Sequence, residues 1–513
     1  MAKLFEYQAK KLMSDKGILI PPGRVVASAD EAREIAIEMA KPVVLKAQAW
    51  VTGRAEAGGV RFADTSDEAH EAARDMLGMD LKGFKVQELL VEEKLDIERE
   101  FFVGMIIDDE AQSPSMVFSG VGGSGIEEIA KEHPDQVSRI TIDVSKGLTP
   151  HQARDMLVDL GFRGKLQNQL TGFLVKFYKM CQSCEARSAE VNPLVLTSDG
   201  RIMAADSHTV IDDYAVFRHP ELGIEIAREF DRPATALEKV AYQVEAEDHR
   251  GTFYFFQMPT SAESATYVGF HGAGGGGSMM SMDALLGQGF QIANFCDTSG
   301  NPSASKIYRA AKIILSQKNL SAYFASGSGV ASQEQFHSAR GLVKTFREFG
   351  LAMPAVIRIG GNCEEEAMEI LRKYTEDLPC VLEAYGRDTS ASHCAERLRA
   401  LVAEWDPKTQ AAPSKREKPD PDAYGFDTVT GRLLIDHQKC ASCQSKPCIS
   451  ACEHNVLKLE KDKPVLALTL EEAKKGRCTE CLACEIACEF EGEQGLYIDL
   501  PIPGLADALR EGN

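Results

Sequence analysis

Eight of the fourteen cysteines lie between Cys440 and Cys488, in two runs whose spacing suits metal binding. The first run, CASCQSKPCISAC, contains Cys440, Cys443, Cys448 and Cys452. The second, RCTECLACEIAC, has the pattern C-x2-C-x2-C-x3-C and contains Cys478, Cys481, Cys484 and Cys488. Thiolates repeated in this way are typical of [4Fe–4S] clusters, each held by four cysteines. Two structural zinc sites, also of four cysteines each, are the alternative.

The two runs resemble those of bacterial two-cluster ferredoxins, over residues 426 to about 500. In that family the fourth cysteine of each run binds the other cluster, so the resemblance implies two [4Fe–4S] clusters. One would be held by Cys440, Cys443, Cys448 and Cys488, and the other by Cys452, Cys478, Cys481 and Cys484. The sequence departs from the family where Glu453 and Glu489 replace the usual proline after each fourth cysteine, and in the four residues between Cys443 and Cys448. Because nearby charge tunes cluster potentials, these departures bear on the potentials.

Another part of the sequence suits nucleotide phosphates. Lys46 ends the apolar, strand-like run VVLK and precedes the glycine-containing loop AQAWVTGRAEAGGV. A lysine there can neutralise phosphate charge, and glycines allow backbone N–H groups to approach phosphate oxygens. A strand-end lysine that merely extends towards water is the alternative.

The stretch AEVNPLVLTSDGRIMAADSHT predicts a β-hairpin that turns at Ser198-Asp199-Gly200. A three-residue loop centred on Asp199 places Asn192 opposite Asp206, with both side chains on one face. Glu190, two residues before Asn192, shares that face. These oxygen ligands suit Mg2+ that is also bound by phosphate. A solvent-facing polar stripe on an edge hairpin is the alternative.

Four stretches occur in order and at family-like spacing: FEYQAKKLM, VVLKAQAWVTGRAEAGGV, LLVEEKLDIEREFFVG and AEVNPLVLTSDGRIMAAD. They resemble the β subunit of succinyl-CoA synthetase and its acid–CoA ligase relatives, over roughly residues 2–405. The resemblance implies an α/β fold: an ATP-grasp domain, a flavodoxin-like doubly wound ligase domain and a small α+β two-cluster ferredoxin domain. It also implies an NDP-forming ligase that interconverts acyl-CoA, NDP and phosphate with acid, CoA and NTP.

The resemblance also implies roles for individual residues. The contacts expected for ATP or GTP are Lys46, Gly53, Arg54 and Ala55 at the phosphates and Glu92 at the ribose. Asn192 and Asp206 would bind Mg2+. Glu190, the expected catalytic residue, would orient the phosphohistidine through which the family transfers phosphate. That histidine and the CoA site are normally on a separate α-type subunit, so we expect such a partner.

The sequence departs from the family at the phosphate and acid ends. Glu56 replaces a lysine of the nucleotide loop, and a carboxylate there repels a triphosphate unless it points away or meets Mg2+. At the acid end, ASGSGVAS, with Gly327 and Gly329, replaces the family's Gly-Gly-Ile. His271, predicted to lie in the glycine-rich strand-to-helix turn of GFHGAGGGG, replaces an asparagine. These three are the predicted substrate-binding residues. A phosphoacceptor role or a loop hydrogen bond is the alternative for His271, and the changes disfavour succinate itself.

Patterning divides the chain. From residue 265, strand-like and helix-like segments such as ATYVGF, ASKIYRAAKIILS and SQEQFHSARGLVKTFREF alternate, which predicts a parallel, doubly wound sheet. The predicted parts are an ATP-grasp domain (1–215), a connection (216–250), a ligase domain (251–406), a linker rich in proline and charge (407–425) and a ferredoxin-like domain (426–513).

Composition limits the function. The net charge of −20 disfavours nucleic-acid binding. No apolar run reaches the ~18 residues that span a bilayer and the start lacks a secretory signal, so we expect a cytoplasmic protein.

The leading hypothesis is a β-type acid–CoA ligase subunit whose appended ferredoxin domain exchanges electrons with a flavoprotein or an iron–sulfur oxidoreductase. Glu56 and the altered acid-binding loops motivate two alternatives. In one, the chain is an electron-transfer subunit in which the ligase fold is a scaffold. In the other, NTP hydrolysis gates low-potential electron transfer.

Overall fold

The structure is a computed structural model. It describes residues 2–51, 53–122, 134–224, 226, 228, 232, 234–248, 252–260, 265–327, 329–406, 418–420 and 423–510. None of the helices in these ranges has the length and apolar character needed to cross a bilayer. The chain forms two compact units, Met1–Pro233 and Ala234–Asn513. The boundary between them in the sequence falls within the segment predicted to be a connection.

The described residues of the first unit form helices and antiparallel strands. Its helices are α1 (Glu6–Asp15), α2 (Ala29–Met39), α3 (Ser66–Met76), α4 (Pro150–Asp159) and α5 (Gly164–Ser183). Its strands are β1 (Ala2–Lys3), β2 (Gly23–Val26), β3 (Val43–Ala47), β4 (Val60–Ala63), β5 (Asp80–Leu81), β6 (Phe84–Lys85), β7 (Leu89–Glu93), β8 (Ile97–Asp108), β9 (Ser113–Ser119), β10 (Val137–Thr141), β11 (Ala186–Thr197), β12 (Ile202–Ala204) and β13 (His208–Ile211).

Two antiparallel sheets position the residues of the first unit. The larger has the order β1-β13-β11-β8-β9-β10, with β12 paired to β11. Leu174 and Phe177 of α5 pack in one core with Phe101 and Val103 of β8. The smaller sheet, β2-β7-β3-β4, packs against α2 and α3. Ser28 directly precedes helix α2, and its hydroxyl accepts a hydrogen bond from the N–H of the residue at the third helical position. The small and apolar residues on one face of α2 pack against the sheet.

The described residues of the second unit form a larger set. Its helices are α6 (Ala236–Glu247), α7 (Gly275–Gly287), α8 (Ala304–Leu315), α9 (Phe336–Phe349), α10 (Glu364–Thr375), α11 (Ala391–Glu404), α12 (His437–Ser442), α13 (Pro447–Ser450), α14 (Leu470–Glu472), α15 (Ala483–Glu491) and α16 (Leu505–Arg510). Its strands are β14 (Tyr254–Gln257), β15 (Tyr267–Ala273), β16 (Gln291–Ile292), β17 (Asn294–Asp297), β18 (Leu320–Gly327), β19 (Ala331–Glu334), β20 (Ala355–Arg358), β21 (Gly361–Asn362), β22 (Leu382–Tyr385), β23 (Tyr424–Asp427), β24 (Arg432–Ile435), β25 (Leu457–Glu460), β26 (Lys463–Leu466) and β27 (Leu496–Asp499).

The predicted alternation of strands and helices is confirmed, with two corrections. The sheet has the order β14-β17-β15-β18-β20-β22 and is parallel from β17 onwards, but its edge strand β14 runs antiparallel to β17. Helix α9 begins only at Phe336, because the preceding residues form β19 and pair with β21. The sheet is therefore mixed, and the helix is shorter than predicted.

Residues 423–510, here called the cysteine module, pack on α8 and α9 of the same unit. The module contains an antiparallel sheet, β23-β24-β27, and the hairpin β25–β26. Ala304 and Tyr308 of α8 belong to the apolar cluster that contains most of its cysteines. Ile486 of α15 and Leu505 of α16 join the core beneath the parallel sheet. The module is thus packed against the ligase domain, while most of the predicted linker, 407–425, lies outside the described residues.

Candidate functional site

The predicted hairpin of the first unit is confirmed. β11 pairs antiparallel with β12 and, further along, with β13, where Glu190 lies opposite His208. Both pairings keep the register of a three-residue turn centred on Asp199. Asn192 and Asp206 therefore fall opposite each other between the two paired segments, as predicted.

This hairpin lines a cavity of about 360 Å³, here called the phosphate cavity. The predicted site residues that line it are Gly53, Arg54, Ala55, Glu190, Asn192 and Asp206. Glu6, Glu56 and Glu100 line it as well, so five carboxylates line the cavity together with Arg54. Burial and then the charge of Asp206 raise the pKa of Glu190. The fold thus places the predicted metal ligands and the predicted phosphate loop at one acidic cavity.

Arg54 links the phosphate loop to the predicted Mg2+ ligand. Its Nη2 lies 2.6 Å from Oδ1 of Asp206 and 2.7 Å from Oε2 of Glu6. The loop turns at Gly53, whose φ of 65° lies in the left-handed region that favours glycine. The N–H of Gly59 donates to the carbonyl oxygen of Arg54 at 2.7 Å and closes the loop. Carboxylate oxygens of this cavity therefore already form ion pairs with a cationic group, the guanidinium of Arg54.

Sequence reasoning missed Glu6 and Lys10, which join Lys46 and Glu92 in a buried ionic network. Lys46 Nζ lies 2.8 Å from Oε1 of Glu6 and 3.1 Å from Oε2 of Glu92. Lys10 Nζ lies 2.7 Å and 2.6 Å from the same two oxygens. Both ammonium groups also donate to the carbonyl oxygen of Ala205. The i, i+4 spacing of Glu6 and Lys10 in FEYQAK is the sequence signal that could have found this pair.

The charges of this network support one another. Burial by itself would raise the pKa of Glu6, but Lys10, Lys46 and Arg54 hold it well below its usual range. Burial likewise opposes the charge of Lys46, yet its carboxylate neighbours raise its pKa above the usual range. Lys46 is 8% exposed. It is therefore a paired, buried cation rather than a strand-end lysine that reaches water.

Glu92, the predicted ribose contact, lines a second cavity of about 290 Å³ in the same unit. Lys10, Tyr7, Ile20 and Pro21 also line it. Since Glu6 lines the phosphate cavity, the ionic network contributes to both cavities.

In the second unit, His271 occupies a different place from the predicted one. It lies inside β15 and is 3% exposed, because the turn begins only at Gly274, where φ is 97°. Its Nδ1 lies 2.6 Å from the Tyr323 hydroxyl, and its Nε2 lies 3.4 Å from that of Thr298. Burial lowers the pKa of His271 to about 3. His271 is a buried, neutral ring, and its role in substrate binding stays a prediction.

Gly327 and Gly329 lie at the carboxyl end of β18, close to two arginines that sequence reasoning missed. Arg358 Nη1 donates to the carbonyl oxygen of Gly327 at 2.7 Å. A Cβ added to Gly329, whose φ is 79°, would lie 3.6 Å from Arg358 Nη2 and 3.5 Å from Arg387 Cβ. The carboxyl ends of parallel strands are where such sheets bind ligands. Arg358 therefore supplies positive charge where the acid substrate is predicted, whereas Arg387 pairs with Glu364.

The eight clustered cysteines lie in two groups of four. Burial and then the neighbouring thiols Cys488, Cys440 and Cys443 raise the pKa of Cys448 to about 12. Burial and then Cys481, Cys478 and Cys452 raise the pKa of Cys484 well above its usual range. We call Cys440, Cys443, Cys448 and Cys488 the first cysteine group. Cys452, Cys478, Cys481 and Cys484 form the second cysteine group. These are the two ligand sets that the ferredoxin resemblance implies.

Each cysteine group receives a backbone hydrogen bond. The four cysteines of the second group line a small cavity of about 20 Å³ whose walls include Leu433 and Ile498. Backbone N–H groups of Val456 and Leu496 donate to the sulfurs of Cys452 and Cys488, each at 3.3 Å. In the described ranges, no three or more His, Cys, Asp or Glu side chains form a ready-made metal site. Cluster binding therefore stays a prediction.

Comparisons with known proteins agree with the fold. An ATP-grasp domain family matches residues 3–196, and an ATP citrate lyase citrate-binding family matches residues 263–399. The chain is 37% identical over 368 residues to the GDP-forming succinate–CoA ligase β subunit of Thermus thermophilus, covering 72% of this chain and 93% of that protein. It is 34% identical over 405 residues to the ADP-forming counterpart of Deinococcus radiodurans, with coverages of 78% and 99%.

A solved structure is similar in fold. The ATP citrate lyase of Methanothrix soehngenii, in complex with citrate and coenzyme A, has a TM-score of 0.63 and 18% sequence identity. The likeness covers 79% of this chain and 100% of that one.

The matched domains and the phosphate cavity define a nucleotide-dependent acid–CoA ligase subunit of the ATP-grasp class. The chain belongs to the succinate–CoA ligase β-subunit family. The predicted family and the predicted enzyme class, an NDP-forming acid–CoA ligase subunit, are thereby confirmed. The cysteine module lies outside both matched ranges, so its likeness to ferredoxins stays a prediction.

Proposed function

We propose that this β-type subunit works with an α-type subunit to form or cleave an acyl-CoA, and that its cysteine module carries electrons to or from a redox enzyme. The convergence of Arg54, Glu190, Asn192 and Asp206 on one cavity carries the ligase part of the proposal. ATP or GTP would place its phosphates against the loop of Arg54. Mg2+, which neutralises phosphate charge, would be held by Asn192 and Asp206, whose oxygens fit it.

Glu190 would act on the phosphohistidine of the α-type partner, which would also bind CoA. As a half-buried carboxylate beside Asp206, it would accept a hydrogen bond from the imidazole and hold the ring towards the nucleotide. The chain's role in phosphoryl transfer is thus to position groups and to balance their charges.

The acid substrate would bind at the carboxyl ends of the parallel strands. Gly327, Gly329 and His271 are the predicted contacts, and the nearby guanidinium group of Arg358 supports an anionic acid. The citrate-binding family match and the relatives' names support a di- or tricarboxylic acid.

The ligase proposal is tested by assaying the chain together with its α-type partner under anoxic conditions. We expect nucleotide turnover that depends on both CoA and a carboxylic acid, measured across a panel of di- and tricarboxylates. Turnover that is absent, or that is the same without acid, would contradict the proposal.

For the redox part, we propose that the two cysteine groups hold two [4Fe–4S] clusters, which supply one-electron transfer. The grouping of the thiols and the N–H donors to sulfur support this. A flavoprotein or an iron–sulfur oxidoreductase would be the redox partner. Anoxic metal and sulfide analysis should find about eight iron atoms per chain and little zinc. One or two zinc ions without sulfide would favour the zinc alternative.

The acidic phosphate cavity favours a second candidate, an electron-transfer subunit in which the ligase fold is a scaffold or a nucleotide-dependent gate. Glu56 and Glu100 face the cavity, and Arg54 is already held by two carboxylates. Calorimetry with Mg-ATP and Mg-GTP discriminates the candidates. Absence of binding, with clusters that still exchange electrons, would favour the scaffold. Nucleotide-dependent reduction without acid-dependent turnover would favour the gate.

A further inference from the structure

Lys344 of α9 extends from the ligase domain into the cysteine module. Its Nζ lies 2.7 Å from Oε1 of Glu485 in α15 and 2.8 Å from Oε1 of Glu348 in its own helix. It also lies 4.0 Å from the centre of the Tyr497 ring in β27. The side chain is 4% exposed. A buried ammonium group of the ligase domain is thus held inside the joint with the cysteine module.

The two residues that Lys344 contacts within the module each lie beside one of the cysteine groups. Glu485 directly follows Cys484 of the second cysteine group. Tyr497 directly follows Leu496, whose N–H donates to the sulfur of Cys488 in the first group at 3.3 Å. Lys344 therefore stands close to the backbone that carries ligands of both groups.

The joint holds its charges by mutual pairing. Glu348 accepts hydrogen bonds from the hydroxyls of Tyr308 and Tyr497, both at 2.6 Å, and pairs with Lys312 at 2.8 Å. Burial would raise the pKa of Glu348, but Lys344 and Lys312 hold it well below its usual range. Lys344 is therefore fixed by partners on three sides, and its charge lies in a region of low dielectric where it acts over a longer distance than in water.

We propose that Lys344 sets the reduction potential of the clusters in the cysteine module, so that the ligase domain tunes the electron-transfer part of the chain. This inference rests on the proposed clusters. Reduction adds one electron, supplied by the redox partner or an added reductant, and no covalent bond forms or breaks. A fixed cation stabilises the additional negative charge and raises the potential, and a fixed carboxylate lowers it. Lys344 and Glu485 thus act in opposite directions.

The test is a redox titration of the full chain under anoxic conditions, with the reduced clusters followed by electron paramagnetic resonance. Lys344→Gln should lower the ratio of reduced to oxidised cluster about tenfold at a fixed solution potential, equivalent to about 59 mV for a one-electron couple. Glu485→Gln should shift the ratio in the opposite direction. The double variant should have a ratio close to that of the parent protein. Lys344→Arg, which keeps the positive charge, should have the same ratio as the parent protein. Lys312→Gln, a more exposed partner of Glu348, should shift the ratio less.

Opposite signs separate a charge effect from a loss of packing, which would not reverse between Lys344→Gln and Glu485→Gln. If Lys344→Gln fails to assemble clusters, the shift in the ratio measured for Glu485→Gln still tests the inference. A ratio unchanged or lowered in Glu485→Gln overturns the inference. Iron and sulfide analysis of the parent is made first, because a parent without clusters would contradict the redox part of the proposed function instead.

Discussion

Both units contain a buried network of glutamates and basic side chains, but the two networks end in different places. In the first unit, Glu6 balances Lys10, Lys46 and Arg54, and the network ends at Asp206, whose side chain is 32% exposed in the phosphate cavity. In the second, Glu348 balances Lys312 and Lys344, and the network ends at Glu485, whose side chain is 2% exposed. The same kind of ionic network thus borders the phosphate cavity in one unit and lies within a sealed joint in the other.

A carboxylate at the solvent-accessible end of a network can change its ion-pair partner. Asp206 can exchange Arg54 for another cation, whereas Glu485 has no comparable access to solvent. Glu6 and Glu348 both have a pKa below the usual range. Each therefore contributes stability that is present above the unfolded-state glutamate pKa of about 4.3 and lost as the pH falls below it. Acid should weaken both networks.

The largest expected effect tests whether the first network is structural as well as functional. Glu6→Gln leaves three buried cations without their shared carboxylate, so the first unit should lose about 3–5 kcal/mol of unfolding free energy. Hydrogen exchange of the amides in β3 and β7 reports on this unit. Asp15→Asn, which removes a pair whose side chains are 75% and 56% exposed, is the control and should cost less than about 1 kcal/mol. Equal losses in the two variants would contradict the comparison.

The next effect concerns the accessible end of that network. Asp206→Asn removes the charge of a predicted Mg2+ ligand, and acid-dependent nucleotide turnover should fall about a hundredfold or more, about 2.7 kcal/mol. Asp199→Asn, in the turn of the same hairpin, is the matched control and should retain turnover. A modest loss in Asp206→Asn, no greater than in the control, would remove Asp206 from the metal site.

A smaller effect is expected at the joint of the second unit. Glu348→Gln removes a charge that pairs with two lysines, and its single amide oxygen replaces two carboxylate oxygens that each accept one tyrosine hydroxyl. The cysteine module should therefore lose about 2 kcal/mol of local stability, measured by hydrogen exchange in β27 and α15. Asp377→Asn, which loses a half-exposed partner of Arg347, serves for comparison and should cost less. Exchange that is unchanged in Glu348→Gln would show that apolar packing alone holds the joint.

The smallest effect is a pH dependence. Because the pKa of Glu190 is raised, its carboxylate should be lost at a higher pH than that of an ordinary glutamate. If phosphoryl transfer uses the carboxylate, kcat/KM should fall about tenfold per pH unit below that pKa. Glu190→Gln should be slow and lack this acid limb, whereas Glu93→Gln at a surface pair should keep it. The same limb in Glu190→Gln would assign it to another group.

Local signals in the sequence were sufficient for much of the first-unit site. The hairpin register follows from a turn of known length and the two-residue period of strands, so the opposition of Asn192 and Asp206 was predictable. The motif order likewise predicted that Lys46 and Arg54 belong to one site, and the structure pairs both with Glu6. The same kind of reasoning failed for His271, because a glycine-rich segment does not show where the strand ends and the turn begins.

What the sequence by itself determined is the family, the alternation of strands and helices, the hairpin register and the spacing of the cysteines, since all of these depend on residues close together in the chain. Only the tertiary structure decided that Glu6 is the buried anion of Lys46 and Arg54, that Arg54 pairs with Asp206, and that Lys344 meets Glu485. These partners come from distant segments, and neither periodicity nor spacing records which charged side chains share one buried site. The decisive factor is burial, because a charge removed from water must find its partner wherever the fold supplies one.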